Sequence, residues 1–252
     1  MDKKTCLSVN INKIATVRNA RGGNVPNLLA AADIILNSVA NGITVHPRPD
    51  ARHITYKDVE ELSEKIKRSQ MPYDEECWKE FNIEGNPTPE FLDLVTRVKP
   101  DQVTLVPDAP EALTSNAGWD TVKHADFLRG VVEELHKVRI RVSIFVDPVV
   151  AMVEGAKAVG ADRVELYTEA YAAGYKEDAE RAIRPYIFAA ERARELGLEV
   201  NAGHDLNLEN LGYFLRRLPY VSEVSIGQAL ISDAMLRWGL KETIWHYKRC
   251  VQ

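Results

Sequence analysis

Short β-branched, apolar runs alternate along this chain with longer segments whose apolar residues recur at three- and four-residue spacing, the pattern of strands alternating with helices. Eight runs predict strands: Leu7–Ile11, Gly42–His46, Glu80–Glu84, Gln102–Val106, Ile140–Val146, Arg163–Tyr167, Leu198–Asn201 and Glu223–Ile226. Helical spacing predicts a helix from about Asn27 to Val39, and a second that opens on Thr55 as N-cap, with Asp58 three residues on, and runs through Ile66. Thr88 as N-cap and Pro89 as first helical residue open a third, to about Val98. Others follow at about Asp126–Lys137, from Asp147-Pro148 to Val159, Glu177–Leu196 with a bend near Pro185, Leu208–Leu218, and in the last segment through Tyr247. Asn12–Gly23 reads as a long polar loop, and so does the tyrosine- and alanine-rich stretch after Tyr167. Ser69–Lys79 fits no period and reads as an insertion or an oligomer contact. Parallel pairing follows, because each crossover between parallel strands needs a helix. A doubly wound open sheet is the competitor. No Gly-x-Gly-x-x-Gly follows the first run, and eight regular units favour a closed (β/α)8 TIM barrel.

The chain has 252 residues, near the length of one such barrel, and no linker or low-complexity tract, so residues 1–252 are expected to form a single domain. A net charge of −5 argues against nucleic acid as a partner, so any positive site must be local. No apolar run is long enough to span a bilayer, and the N-terminus has no leader pattern. Three widely spaced cysteines, Cys6, Cys77 and Cys250, suit a reduced, cytoplasmic protein.

Barrel enzymes work at the C-terminal ends of their strands. The residues there are Asn10 and Asn12, His46, Glu84, Glu165, Asn201 with His204, and Gly227. The sharpest stretch is GITVHPRPDARHI, Gly42–Ile54: a strand delivers His46, and a proline-stiffened loop adds Arg48, Arg52 and His53. Such a group can cradle an anion with a proton-transfer residue at its edge. Gly203-His204-Asp205 and Gly227-Gln228 follow the seventh and eighth strands, where barrels often hold phosphate on backbone N–H groups. Two anionic sites, hence two phosphates or one bisphosphate, are implied. Taken singly, each residue also has an ordinary structural reading, and both glycine pairs could be plain tight turns. A divalent metal held by His46, Glu84, Glu165 and His204 is the main rival, although the neighbouring arginines would repel a cation. Schiff-base chemistry has only Lys13 as a strand-end candidate. A catalytically silent barrel used for binding is the third reading.

Seven segments, VNINKIATVRNARGG, GITVHPRPDARHI, FNIEGNPTPEF, VTLVPD, VELYTEAYA, VNAGHDL and VSIGQAL, resemble in this order the pyridoxine 5′-phosphate synthase family of the deoxyxylulose-dependent vitamin B6 pathway. The resemblance runs from the first strand to the eighth. It implies a TIM barrel with extra helices, assembled as a homo-octamer built from dimers, that works without metal or organic cofactor on two phosphorylated small molecules. It implies His46 and Glu84 as general bases, His204 as proton donor and Glu165 at the barrel centre. It places Arg48, His53 and Thr114 on deoxyxylulose phosphate, and Asn10, Arg21, Asp205, Gly227 and Gln228 on an aminoketone phosphate. Asn12-Lys13 stands where the family commonly has Asp-His in contact with deoxyxylulose phosphate, so Lys13 would act there as a point charge. Asp205 stands for a common glycine and is expected to contribute main chain, its carboxylate turned from the phosphate. Gln228 stands where histidine is frequent.

Overall fold

The computed structural model describes residues 5–69, 78–107 and 117–252. Eight parallel strands close in sequence order: β1 (Cys6–Asn10), β2 (Gly42–Val45), β3 (Glu80–Gly85), β4 (Gln102–Leu105), β5 (Arg141–Val146), β6 (Arg163–Leu166), β7 (Glu199–Ala202) and β8 (Val221–Ile226), with β1 pairing both β2 and β8. The barrel expected from the alternation is therefore the one formed. Among the described residues no helix is long and apolar enough to cross a membrane.

The barrel is two-faced. Leu7, Val9, Ile43, Ile83, Val103, Val142, Val164 and Val224 lie outward and are wholly buried under the helices. Strands of parallel sheets covered on both faces usually read as near-continuous apolar runs. Here the inward residues are polar except Phe145 on β5, and across β1 to β4 they bond to one another. Ser8 Oγ lies 2.7 Å from Thr44 Oγ1, Asn82 Nδ2 donates to Thr44 Oγ1 at 3.4 Å, and Thr104 Oγ1 donates to Asn82 Oδ1 at 3.1 Å. Below this belt, at the N-terminal ends of the strands, sits an ion cluster. Arg163 Nε donates to Glu199 Oε2 at 2.6 Å and Nη1 to Gln102 Oε1 at 2.9 Å, with Glu80 and Glu223 each 3.6 Å away. Arg141 Nη2 lies 2.5 Å from Glu80. Above the belt the inward side chains build the site.

Between β2 and β5 the helices repeat one buried, mainly apolar stripe. In α3 (Tyr56–Ser69) it is Val59, Leu62, Ser63 and Ile66; in α4 (Pro89–Val98), Phe91, Leu94, Val95 and Val98; in α5 (Ala125–Lys137), Leu128, Val131, Val132 and Leu135. Spacing of 0, 3, 4 and 7 is one helical face, and each buried aliphatic or aromatic side chain stabilises by about 1.5–3 kcal/mol. Thr88 caps α4 by accepting from Phe91 N at 3.3 Å. Asp58 N donates to Thr55 Oγ1 at 3.1 Å while Thr55 N donates back to Asp58 Oδ2 at 2.8 Å, the reciprocal box expected at the head of α3.

Two segments differ from the expectation. Asn12–Asn19, expected as loop, is a helix, α1. Its buried apolar residues are only Ile14 and Ala15, and it is anchored from a distance: Arg18 grips Asp58 with both terminal nitrogens, at 2.6 and 2.8 Å. The stretch after Tyr167 is also helical, since α7 spans Glu169–Glu195. Its one break falls at Asp178 (φ −155°, ψ 89°) and not at Pro185. Asp178 Oδ1 accepts from Arg181 N at 2.9 Å, so this residue ends one helical segment and caps the next. The remaining helices are α2 (Leu28–Leu36), α6 (Val150–Ala158), α8 (Leu211–Arg217), α9 (Gln228–Asp233), a π-helical turn at Ala234–Trp238, and α10 (Leu240–Cys250). Most of Ser69–Lys79 lies outside the described residues.

Candidate active site

At the C-terminal mouth of the barrel is a cavity of about 620 Å³. Asn10, Asn12, Lys13, His46, Arg48 and His53 line one side; Glu84, Glu165, His204, Asp205, Gly227 and Gln228 complete it. These twelve residues, all singled out by the sequence, thus meet in one space. Arg21 lies on the exposed turn after α1 and does not line the cavity, and Thr114 lies outside the described residues.

His46 leaves the end of β2 with its backbone fixed. Its N–H donates to Asn12 Oδ1 at 2.8 Å, and Asn12 N donates in turn to Asn10 Oδ1 at 3.1 Å. The Asn12 amide therefore ties the start of α1 to the end of β2. His46 Nδ1 lies 3.7 Å from Glu84 Oε2, which also accepts from Asn10 Nδ2 at 3.4 Å. After Pro47 the chain turns through Ala51, at φ 52°, and returns at Ile54 to bridge Pro47. This turn carries the buried Arg48 guanidinium, Arg52 hydrogen-bonded to Asp50, and His53, whose ring centre is 5.9 Å from that of His46.

On the other side Glu165, buried, rises from β6, and Tyr167 two residues on faces the same way. The His204 ring meets Tyr167 edge-on at 5.1 Å. Its carbonyl accepts from Thr168 Oγ1 at 2.5 Å, and its Nδ1 lies 2.9 Å from Asp205 Oδ2. Gly203 makes this approach possible. A Cβ there would lie 2.2 Å from the Ser225 carbonyl oxygen, so no other residue fits between β7 and β8.

The fields differ across the cavity. Burial, reinforced by the Arg48 and Arg52 charges, holds His46 down at about 3. Burial first, then His46, Arg48 and Lys13, do the same to His53, also about 3. Both imidazoles are neutral at pH 7, and each can accept a proton or a hydrogen bond. Burial pushes Glu165 up to about 7, against the opposing pull of His204, so that carboxyl is poised between its two forms at neutral pH. The hydrogen bond from His204 holds Asp205 below the usual carboxylate range.

Strand-end reasoning passes over Thr16, Phe145, Tyr167 and Glu169, yet all four line the cavity, as does Arg52 of the expected anion cradle. Phe145 and Tyr167 follow Ser143 and Glu165 by two, so the period of a strand could have found them. Thr16 stands one turn after Asn12 on α1, where a loop was expected. Among the described residues no three His, Cys, Asp or Glu side chains are placed to hold one metal ion.

The model of the family "Pyridoxal phosphate biosynthesis protein PdxJ" matches residues 7–252. A pyridoxine 5′-phosphate synthase of Cytophaga hutchinsonii is 57% identical over 97% of this chain and 98% of its own. That of Christiangramia forsetii is 55% identical over 98% of this chain and 100% of its own. Among solved structures, the tryptophan synthase α-subunit of Pyrococcus furiosus superposes with a TM-score of 0.59 over 99% of this chain and 96% of its own. At 15% identity it shares the fold alone.

Proposed function

Because the chain belongs to the PdxJ family of pyridoxal phosphate biosynthesis proteins, we propose that its cavity condenses 3-amino-2-oxopropyl phosphate with 1-deoxy-D-xylulose 5-phosphate to pyridoxine 5′-phosphate, releasing phosphate and water. The observation that carries the reading is the pairing, in one cavity, of buried Arg48 with the His46–Glu84 dyad. One holds an anion and the other takes protons.

Imine formation, dehydration, phosphate elimination and ring closure each move protons, so several positioned groups serve better than one nucleophile. His46 and Glu84 are assigned as bases, His204 as the donor, and Glu165, poised near neutrality, as a relay at the barrel centre. Arg48, His53, Asn12, Lys13 and Thr114 are assigned to deoxyxylulose phosphate. Asn10, Asp205, Gly227 and Gln228 are assigned to the aminoketone phosphate, the last two where the first turn of α9 opens on the cavity with N–H groups that lack intrahelical acceptors. The low basicity of His46 fits this order of events: a phosphate dianion on Arg48 cancels much of the charge that suppresses the imidazole, so the base strengthens as substrate arrives.

The test is an end-point assay. Chelator-treated protein given both substrates is expected to yield pyridoxine phosphate and inorganic phosphate together. Product that appears only after divalent ions are restored would favour the metal-dependent sugar-phosphate reading instead. For Arg48→Ala the KM for deoxyxylulose phosphate is expected to rise roughly ten- to hundred-fold, as for the loss of a charged hydrogen bond, with kcat little altered. An unchanged KM would take Arg48 out of the phosphate site. A cytoplasmic homo-octamer built from dimers belongs to the same reading. Exposed Met235, Leu236 and Trp245 near the C-terminus support it, and light scattering of the purified chain measures it.

A further inference from the structure

Asp205 occupies a left-handed backbone conformation, φ 64°, which glycine adopts most easily. That conformation brings its carboxylate back over the preceding residue, with Oδ2 2.9 Å from His204 Nδ1. The backbone on either side is tied. Thr168 Oγ1 donates to the His204 carbonyl, Asn210 Nδ2 donates to the Asp205 carbonyl at 3.3 Å, and Leu206 N closes the turn on Gly203 O at 3.1 Å. The side chain expected to contribute only its main chain is thus aimed at the imidazole next door. Around that imidazole stand Glu165 from β6, Tyr167 at the end of β6 and Asp205 from its own loop, with Glu169 and Asp147 beyond Tyr167.

From this geometry we infer that Asp205 is a positioning residue for His204: it holds the Nδ1 proton, fixes the ring at the cavity wall and stabilises the imidazolium that serves as proton donor. The inference rests on the donor role proposed for His204. In the step it serves, the Nε2–H bond breaks as an O–H bond forms on the departing oxygen. The ring is left neutral, with its remaining proton on Nδ1 and still bonded to Asp205. An aspartate so placed also offsets its own charge: paired with an imidazolium, it adds no net repulsion to a nearby phosphate.

Asp205→Asn keeps the size and tolerates the same backbone conformation but removes the charge. It is expected to lower kcat about ten-fold, as for loss of a residue that orients a functional histidine, with both KM values nearly constant. A carboxylate paired with an imidazolium favours the charged pair, so its removal moves the alkaline limb of the kcat profile to lower pH. The Nδ1 proton signal of His204, identified by its loss in His204→Asn, should move or broaden in Asp205→Asn, and that readout needs no turnover. Asp205→Gly, which relaxes the backbone, should melt no lower than the parent yet show the same displaced limb. An unmoved limb and an unmoved Nδ1 proton signal in Asp205→Asn would overturn the inference while leaving His204 as the donor. Full turnover in His204→Asn would instead overturn the donor assignment itself.

Discussion

Arg163→Ala is expected to lower the melting temperature by roughly 6–20 °C, from about 3–5 kcal/mol for removing one partner of a buried ionic group at about 2–4 °C per kcal/mol in a chain of this size. Arg163 is 7% exposed and is the one side chain, among the described residues, that touches Glu199, Glu80, Glu223 and Gln102 together. Without it Glu223, 3% exposed, keeps Glu80 as a like-charged neighbour and loses its nearest cation. Burial beside Glu80 already holds the Glu223 carboxyl well above its ordinary value, so the folded protein binds more protons there than the unfolded chain does. Stability from this group is complete below the unfolded value and is lost as pH rises through the folded one. Loss of Arg163 widens that window, so the drop in melting temperature should be larger at about pH 8 than at about pH 5. Glu223→Gln, which keeps the size and hydrogen-bonding capacity of the side chain and removes its repulsion of Glu80, should cost far less. Equal losses in the two variants, or a pH-independent one, would contradict the account.

The second large effect is on turnover. His46→Asn should lower kcat by about 10²–10⁴, the usual contribution of a positioned acid or base, with KM values changed little. Asparagine can still fill the place behind the His46 N–H···Asn12 bond but cannot take a proton. Glu84→Gln should behave alike. Because the two side chains lie 3.7 Å apart, the double variant should lose much less than the product of the single losses. In the free protein His46 has shed its proton at any pH well above about 3, so it is ready as a base before substrate arrives. A large rise in KM at constant kcat would move His46 from proton transfer to binding.

Much of this was legible in the sequence because strands and stripes repeat locally. His46, Glu84, Glu165 and His204 could be placed at strand ends from β-branched runs alone, and Thr55, with Asp58 three residues on, announced the start of α3. Illegible features depend on distance. The helix α1 is held by Arg18 reaching Asp58 forty residues away, which no window sees. The break in α7 falls at Asp178, a capping side chain, where proline was the obvious suspect. The Asp205 carboxylate points at His204 only because its backbone is left-handed, a fact of tertiary packing against Gly203 and Asn210.

The alternation of polar and apolar residues along the strands also bears on the chain before it has folded. Stacking into cross-β aggregates favours uninterrupted apolar stretches. Leu7-Ser8-Val9, Ile43-Thr44-Val45, Phe81-Asn82-Ile83 and Val103-Thr104-Leu105 are each interrupted by the residue that later turns into the barrel. Among the described strands, β5 alone carries three apolar residues in a row, Ile144-Phe145-Val146. The hydrophilic lumen thus doubles as a gatekeeper set for the nascent polypeptide, and β5 is where a stalled or heat-denatured chain would begin to associate with its neighbours.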